Sequence, residues 1–136
     1  MNKKRFFSYL TILCVLLAAF LLMGASCSAS TANIQNAVMT TAIDSSGKPA
    51  DSVKEFAVSS PIVASAELHN APDATKVTFI WYSGDTKLDS VTVTSTMSDQ
   101  FVDSHTAGLS QAGTYRVDIV VDDREKPDAS LTFTVK

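Results

Sequence analysis

The stretch Gly113-Thr114-Tyr115-Arg116-Val117-Asp118-Ile119-Val120-Val121 decides the fold class of this chain. Tyr115, Val117, Ile119 and Val121 fall on alternate positions, with Arg116 and Asp118 between them. That is the two-residue period of a strand with one face in a core and the other in water. Just downstream, Asp122–Asp128 is a polar loop containing Pro127, after which Leu131, Phe133 and Val135 resume the alternation to the end.

Upstream the same pattern recurs. Lys76–Tyr82 sets Val77, Phe79 and Trp81 on one face and Thr78, Ile80 and Tyr82 on the other, and Ser83-Gly84-Asp85 is a compact hairpin signal. Leu88–Thr94 alternates valine with threonine, residues that suit an exposed pleat. Gln100–Asp103 carries Phe101. Ile62, Ala64, Ala66 and Leu68 point one way while Ser65, Glu67 and His69 point the other. Phe56–Val58 makes a short piece before Pro61, a residue poorly suited to a central strand. Ile34–Ile43 is a first strand, closed by Asp44-Ser45-Ser46-Gly47-Lys48-Pro49. No helical period interrupts the series after residue 33. The pattern predicts an all-β, two-sheet sandwich of about seven to nine strands over residues 33–136.

The first residues read differently. Lys3, Lys4 and Arg5 precede an almost wholly apolar run, Phe6–Ala25, dense over Ile12–Met23, and small residues follow at Gly24–Ser30. A positive, then apolar, then small order is that of a secretory signal, so residues 1–26 are set aside as a cleaved signal peptide and the rest is expected to be exported. The segment Gly24-Ala25-Ser26-Cys27 resembles a bacterial lipobox, although Gly24 stands where leucine is usual. The resemblance implies acylation of Cys27, with acyl chains holding the protein to the outer face of a cell membrane or outer membrane. Ser28 after the cysteine carries no Asp-type retention signal, which in a two-membrane envelope favours the outer one. Cleavage after Ala29 or Ala32 instead would release a soluble protein, and an uncut run of this length spans a bilayer. Cys27–Ala32 is read as a flexible tether.

Composition narrows the partners. The whole chain has a net charge of −3, but three of its cations lie in the first five residues. Beyond residue 26, eight Lys and Arg face fourteen Asp and Glu, a balance of −6. A domain of that sign is expected to have no nucleic-acid partner, since such binding works through cations that displace phosphate counterions. With Cys14 in the apolar run and Cys27 acylated, no disulfide and no thiol metal site are expected.

Trp81 on a central strand and Gly113-Thr114-Tyr115 opening a late one resemble the immunoglobulin-like fold, with its core tryptophan and its tyrosine at a strand corner. The resemblance implies a Tyr115 hydroxyl bonded to nearby backbone. It puts Val117 where antibody domains carry a cysteine, opposite Ala66 or Leu68, so apolar packing against Trp81 replaces the disulfide. The chain also resembles small immunoglobulin-like lipoproteins of bacteria with no assigned activity.

Chemistry is sparse by comparison. His69 and His105 lie in no nucleophile motif and read as exposed loop histidines. Zinc motifs are missing. Asp122, Asp123, Glu125 and Asp128 supply oxygens of the kind calcium takes, but without EF-hand spacing, and with Arg124 and Lys126 interleaved; a solvated turn is the simpler reading. Ile80 and Tyr82 share a face as a candidate patch for a protein or glycan partner. The resulting expectation is a membrane-anchored, non-catalytic binding or accessory lipoprotein without cofactor. Its alternatives are a self-associating envelope component and a secreted carbohydrate- or calcium-binding module.

Overall fold

The computed structural model describes residues 30–136. The expected signal peptide (residues 1–26), Cys27 and the first residues of the expected tether lie outside the described residues. The rest is all-β: β1 (Asn33–Thr40), β2 (Glu55–Phe56), β3 (Ile62–His69), β4 (Lys76–Ser83), β5 (Thr86–Thr94), β6 (Gln100–Thr106), β7 (Gly113–Val121) and β8 (Ala129–Val135). They form a three-stranded sheet, β1-β3-β6, and a five-stranded sheet, β2-β8-β7-β4-β5. No cysteine falls in residues 30–136, so no disulfide joins the sheets. Among the described residues no helix is long and apolar enough to cross a membrane.

The alternation explains how the sheets meet. Ile62, Ala64, Ala66, Leu68 and Val102 from the smaller sheet share one core with Val77, Phe79, Trp81, Tyr115, Val117, Ile119, Val121, Phe133 and Val135 from the larger. Phe133 sits among three rings, edge-on to Phe56 (5.7 Å between centroids) and Trp81 (6.1 Å) and stacked on Tyr115 (5.7 Å). The indole N–H of Trp81 donates to Ser104 Oγ of β6 at 3.1 Å, a buried hydrogen bond from one sheet to the other. The Tyr115 hydroxyl donates to the Gln111 carbonyl at 2.8 Å and ties the entry of β7 to the chain before it.

Two features were not visible in the alternation. Val63 and Ser65 point away from the core yet are buried, and the Asp44–Pro49 loop crosses that face at Ser65 and Phe101. Ser65 Oγ donates to the Gly47 carbonyl at 3.2 Å. Gly47 has φ +85°, and a Cβ there would lie 2.9 Å from Phe101 Cβ, so the loop's close approach requires glycine. The end of the tether, likewise, is docked rather than free. Arg124 donates to the carbonyls of Ser30 (3.0 Å) and Ala32 (2.7 Å), Asp128 pairs with the same guanidinium, and Ala32 joins the core.

Removing the Tyr115 hydroxyl (Tyr115→Phe) should cost about 1 kcal/mol, the net worth of one hydrogen bond. Trp81→Ala should cost about 3–5 kcal/mol, through the cavity it leaves. Urea unfolding of the two variants beside the parent checks the order.

Candidate functional site

The outer face of the three-stranded sheet carries the chemistry. Antiparallel pairing sets Val63 opposite His105, Ser65 opposite Asp103 and Glu67 opposite Phe101, so these side chains share one face with His69. Glu67 and His69, two apart on β3, therefore stand side by side. His69 Nε2 lies 3.0 Å from Glu67 Oε2, and its Nδ1 lies 3.0 Å from Asp99 Oδ1. Asp99 arrives from the turn between β5 and β6. It also accepts from the Asn70 backbone N–H (3.3 Å) and the Ser98 hydroxyl (2.9 Å).

Two short loops wall the site. On one side Gln100 Oε1 accepts from the Thr96 and Met97 backbone N–H groups, both at 3.0 Å, shaping a turn that leaves Met97 61% exposed. On the other, Asp44 Oδ1 accepts from the backbone N–H groups of Ser46 (2.8 Å) and Lys48 (3.0 Å), holding the loop that crosses Phe101. Between them opens a cleft of about 400 Å³, lined by Ser46, Glu67, His69, Met97, Asp99, Gln100 and Phe101. Its polar end is a carboxylate–imidazole–carboxylate bridge; its apolar walls are a thioether and a phenyl ring.

The bridge shifts all three groups. Hydrogen bonds to Glu67 and then Asp99 raise the His69 pKa above the ordinary histidine value. The Glu67 carboxyl is lowered, first by His69 and then by the Asn36 amide. Asp99 is lowered by the Ser98 hydroxyl first, then by His69 and the Asn70 N–H. Both imidazole nitrogens face carboxylates, so His69 holds a proton between two anions and has no nitrogen directed at a hydroxyl, as a Ser-His-Asp triad needs. His105 faces Asp103 at 2.7 Å. Neither histidine is on a loop: His69 ends β3 and His105 lies within β6.

The other candidate residues are spread apart. Ile80 and Tyr82 lie half-buried on the outer face of the five-stranded sheet, where the Arg116 guanidinium covers the Tyr82 ring at 4.5 Å from its centroid. In the β7–β8 loop, Asp122 accepts from the Lys76 backbone N–H (3.1 Å), while Asp128 accepts from that of Val121 (2.9 Å) and binds Arg124. Among the described residues no group of three or more His, Cys, Asp or Glu is arranged to hold a metal ion, so Asp122, Asp123, Glu125 and Asp128 are not assembled into one. The residues that do meet are Glu67, His69 and Asp99. The first two were legible as neighbours on one strand face. Asp99 was not, since only the β3–β6 pairing brings it there.

No protein-family model matches this chain, and no curated protein matches it. Among solved structures it is similar to the Pseudomonas fluorescens alkylpurine DNA glycosylase AlkC bound to DNA containing an abasic site analog, with a TM-score of 0.50 and 16% identity. The match covers 87% of this chain and 32% of that one, so this chain corresponds to about a third of the glycosylase. At that identity the likeness shows a shared fold alone.

It nonetheless corrects three expectations. A third of a DNA-bound enzyme has this fold, so fold class and net charge do not exclude a nucleic-acid partner or enzymatic activity. The reading of the chain as a non-catalytic binding or accessory module, together with its envelope-component and carbohydrate- or calcium-binding alternatives, therefore does not stand. The physical error lay in treating a summed charge of −6 as a property of every surface, when recognition depends on local charge.

The bridge should also make stability depend on pH in two directions. The His69 contribution, from a raised pKa, is full below about pH 6.5 and lost as pH rises through its folded value. Those of Glu67 and Asp99, from lowered pKa values, are present above about pH 4.5 and lost as pH falls through their folded values. The Tm difference between the parent and His69→Gln should therefore be largest near about pH 5.5 and shrink towards about pH 9; thermal melts across that range check it.

Proposed function

We propose that this chain is an immunoglobulin-like domain whose working site is the cleft beside His69, and that it recognises a ligand with a cationic head on an apolar body. The observation that carries this reading is the pair of carboxylates, Glu67 and Asp99, held at the end of a cleft walled by Met97 and Phe101. Two carboxylates attract a cation more strongly than the single imidazolium between them repels it. The thioether and phenyl walls take apolar surface from water, worth roughly 25 cal/mol per Å². The finer fold assignment is supported by the sheet orders, by Trp81 packed in the core and by the Tyr115–Gln111 corner bond.

Phenethylammonium, an ammonium group on a short aromatic body, is a suitable probe. Titrated into the protein at about pH 8, it should shift the NMR signals of the Met97 methyl and the Phe101 ring, and Glu67→Gln should weaken that binding about tenfold, the loss of about 1.4 kcal/mol for one charged contact. Unmoved Met97 and Phe101 signals would remove the reading. A second reading, contact with nucleic acid, comes from the DNA-bound glycosylase of similar fold. A short DNA duplex titrated at low salt tests it by the same signals and by those of the β7–β8 loop, where Arg124 and Lys126 lie.

Location is a separate proposal, supported by the lipobox-like Gly24-Ala25-Ser26-Cys27 segment: acylation at Cys27 and display outside the cytoplasm. Cys27→Ala should move the protein from the detergent phase to the aqueous phase on phase partitioning; unchanged partitioning counts against acylation.

A further inference from the structure

We infer that the cleft takes up a cationic ligand in exchange for the His69 proton. The inference deepens the reading of the cleft as a ligand site and rests on it. The geometry is that of one donor shared by two acceptors. Nε2 faces Glu67 and Nδ1 faces Asp99, each at 3.0 Å, and only the imidazolium has an N–H on both nitrogens. When the proton leaves, one carboxylate faces a ring lone pair and loses a donor, and the charge of the three groups falls from −1 to −2. A ligand ammonium presented from the cleft supplies both what has gone: a positive charge and an N–H.

The surroundings favour this exchange over simple rearrangement. Asp99 keeps the Ser98 hydroxyl and the Asn70 N–H in either state, and the backbone beside it is pinned by the bond from Ala71 N to the Ser98 carbonyl at 2.9 Å. Asp99 thus holds its place when the imidazole is neutral, and Glu67, whose observed side-chain bond is the one to His69, keeps its acceptor at the cleft that both carboxylates line. The other charged groups around the bridge are few. Lys48, on the Asp44–Pro49 loop, acts on Glu67. On β6, Asp103 and His105 pair with each other farther along the same face, and that strand turns the uncharged Phe101 to the cleft. From β1, the residues paired with His69 and Glu67 are Asn33 and Gln35, neither of which titrates.

His69 is about a third exposed, so proton exchange with solvent is unobstructed. Ligand and proton compete for the same carboxylates. Affinity for a cation therefore rises with pH through the His69 titration, by up to about tenfold per pH unit.

The test uses the full chain, with phenethylammonium as the probe. Its dissociation constant is measured by NMR at about pH 5.5 and about pH 8.5, with the two histidine titrations followed through their ring signals in the same samples. The expected result is binding about tenfold or more tighter at the higher pH, with the His69 midpoint displaced downward when the probe is saturating. His69→Gln should bind with little pH dependence, whereas His105→Gln should keep the parent's. Equal affinity at both pH values, or a pH dependence that survives in His69→Gln, would overturn the exchange while leaving the cleft as a ligand site. Absence of binding at either pH would overturn the site and the exchange together.

Discussion

The Trp81 indole governs how this domain is put together. Its ring lies in the shared core, edge-on to Phe133, and its N–H reaches across to Ser104 on the opposite sheet. A buried indole N–H without an acceptor costs roughly 1–3 kcal/mol, so the one position that satisfies it also fixes the distance and offset of the two sheets. Phe133 extends the constraint by contacting Phe56 and Tyr115 as well. Where a sulfur bridge would tie two points, this arrangement ties the sheets through ring packing and one directed bond.

Everything on the outside follows from that inside. With Ile62, Ala64, Ala66 and Leu68 committed to the core, β3 has no choice but to present Val63, Ser65, Glu67 and His69 outward. A slip of one residue would reverse the set and bury a carboxylate and an imidazole without partners, at far greater cost. The outward face is then divided by a loop. Asp44–Pro49 crosses it at Ser65 and Phe101 and borders Glu67 and His69 without covering them, which leaves the cleft at one end of the sheet. The site is thus a remainder, the part of a sheet face that its own loop does not cover.

This chain shares its fold with part of a DNA-bound glycosylase. Two packed sheets specify a scaffold and leave the surface free, so the same architecture serves in chains with different partners. Net charge is no better guide, because it averages over faces that differ. Here Asp128 of the β7–β8 loop is paired with Arg124 and Asp122 accepts from the Lys76 backbone N–H, while on the His69 face two carboxylates line an open cleft.

Residue order alone determined the strands, because alternation is a local property: each of the runs around Trp81, Val117 and Phe133 states which of its faces is apolar without reference to any other. The hairpin at Ser83-Gly84-Asp85 and the polar β7–β8 loop were legible for the same reason, and the Tyr115 corner was legible from a motif spanning a few residues. The cleft was not. It joins residues 46, 67–69 and 97–101, which no short-range pattern connects, and its existence depends on β6 pairing with β3 and on a loop crossing outside the sheet. The assignment of His69 to a loop failed because nothing local distinguishes a histidine ending a strand from one leaving it, and that of His105 because β6 runs on past Asp103 to Thr106 through polar residues that show no apolar alternation. The docking of Ser30–Ala32 was hidden likewise, since its partner Arg124 is more than ninety residues away. Burial periodicity is written along the chain, but the meeting of charged groups is decided by which strands become neighbours.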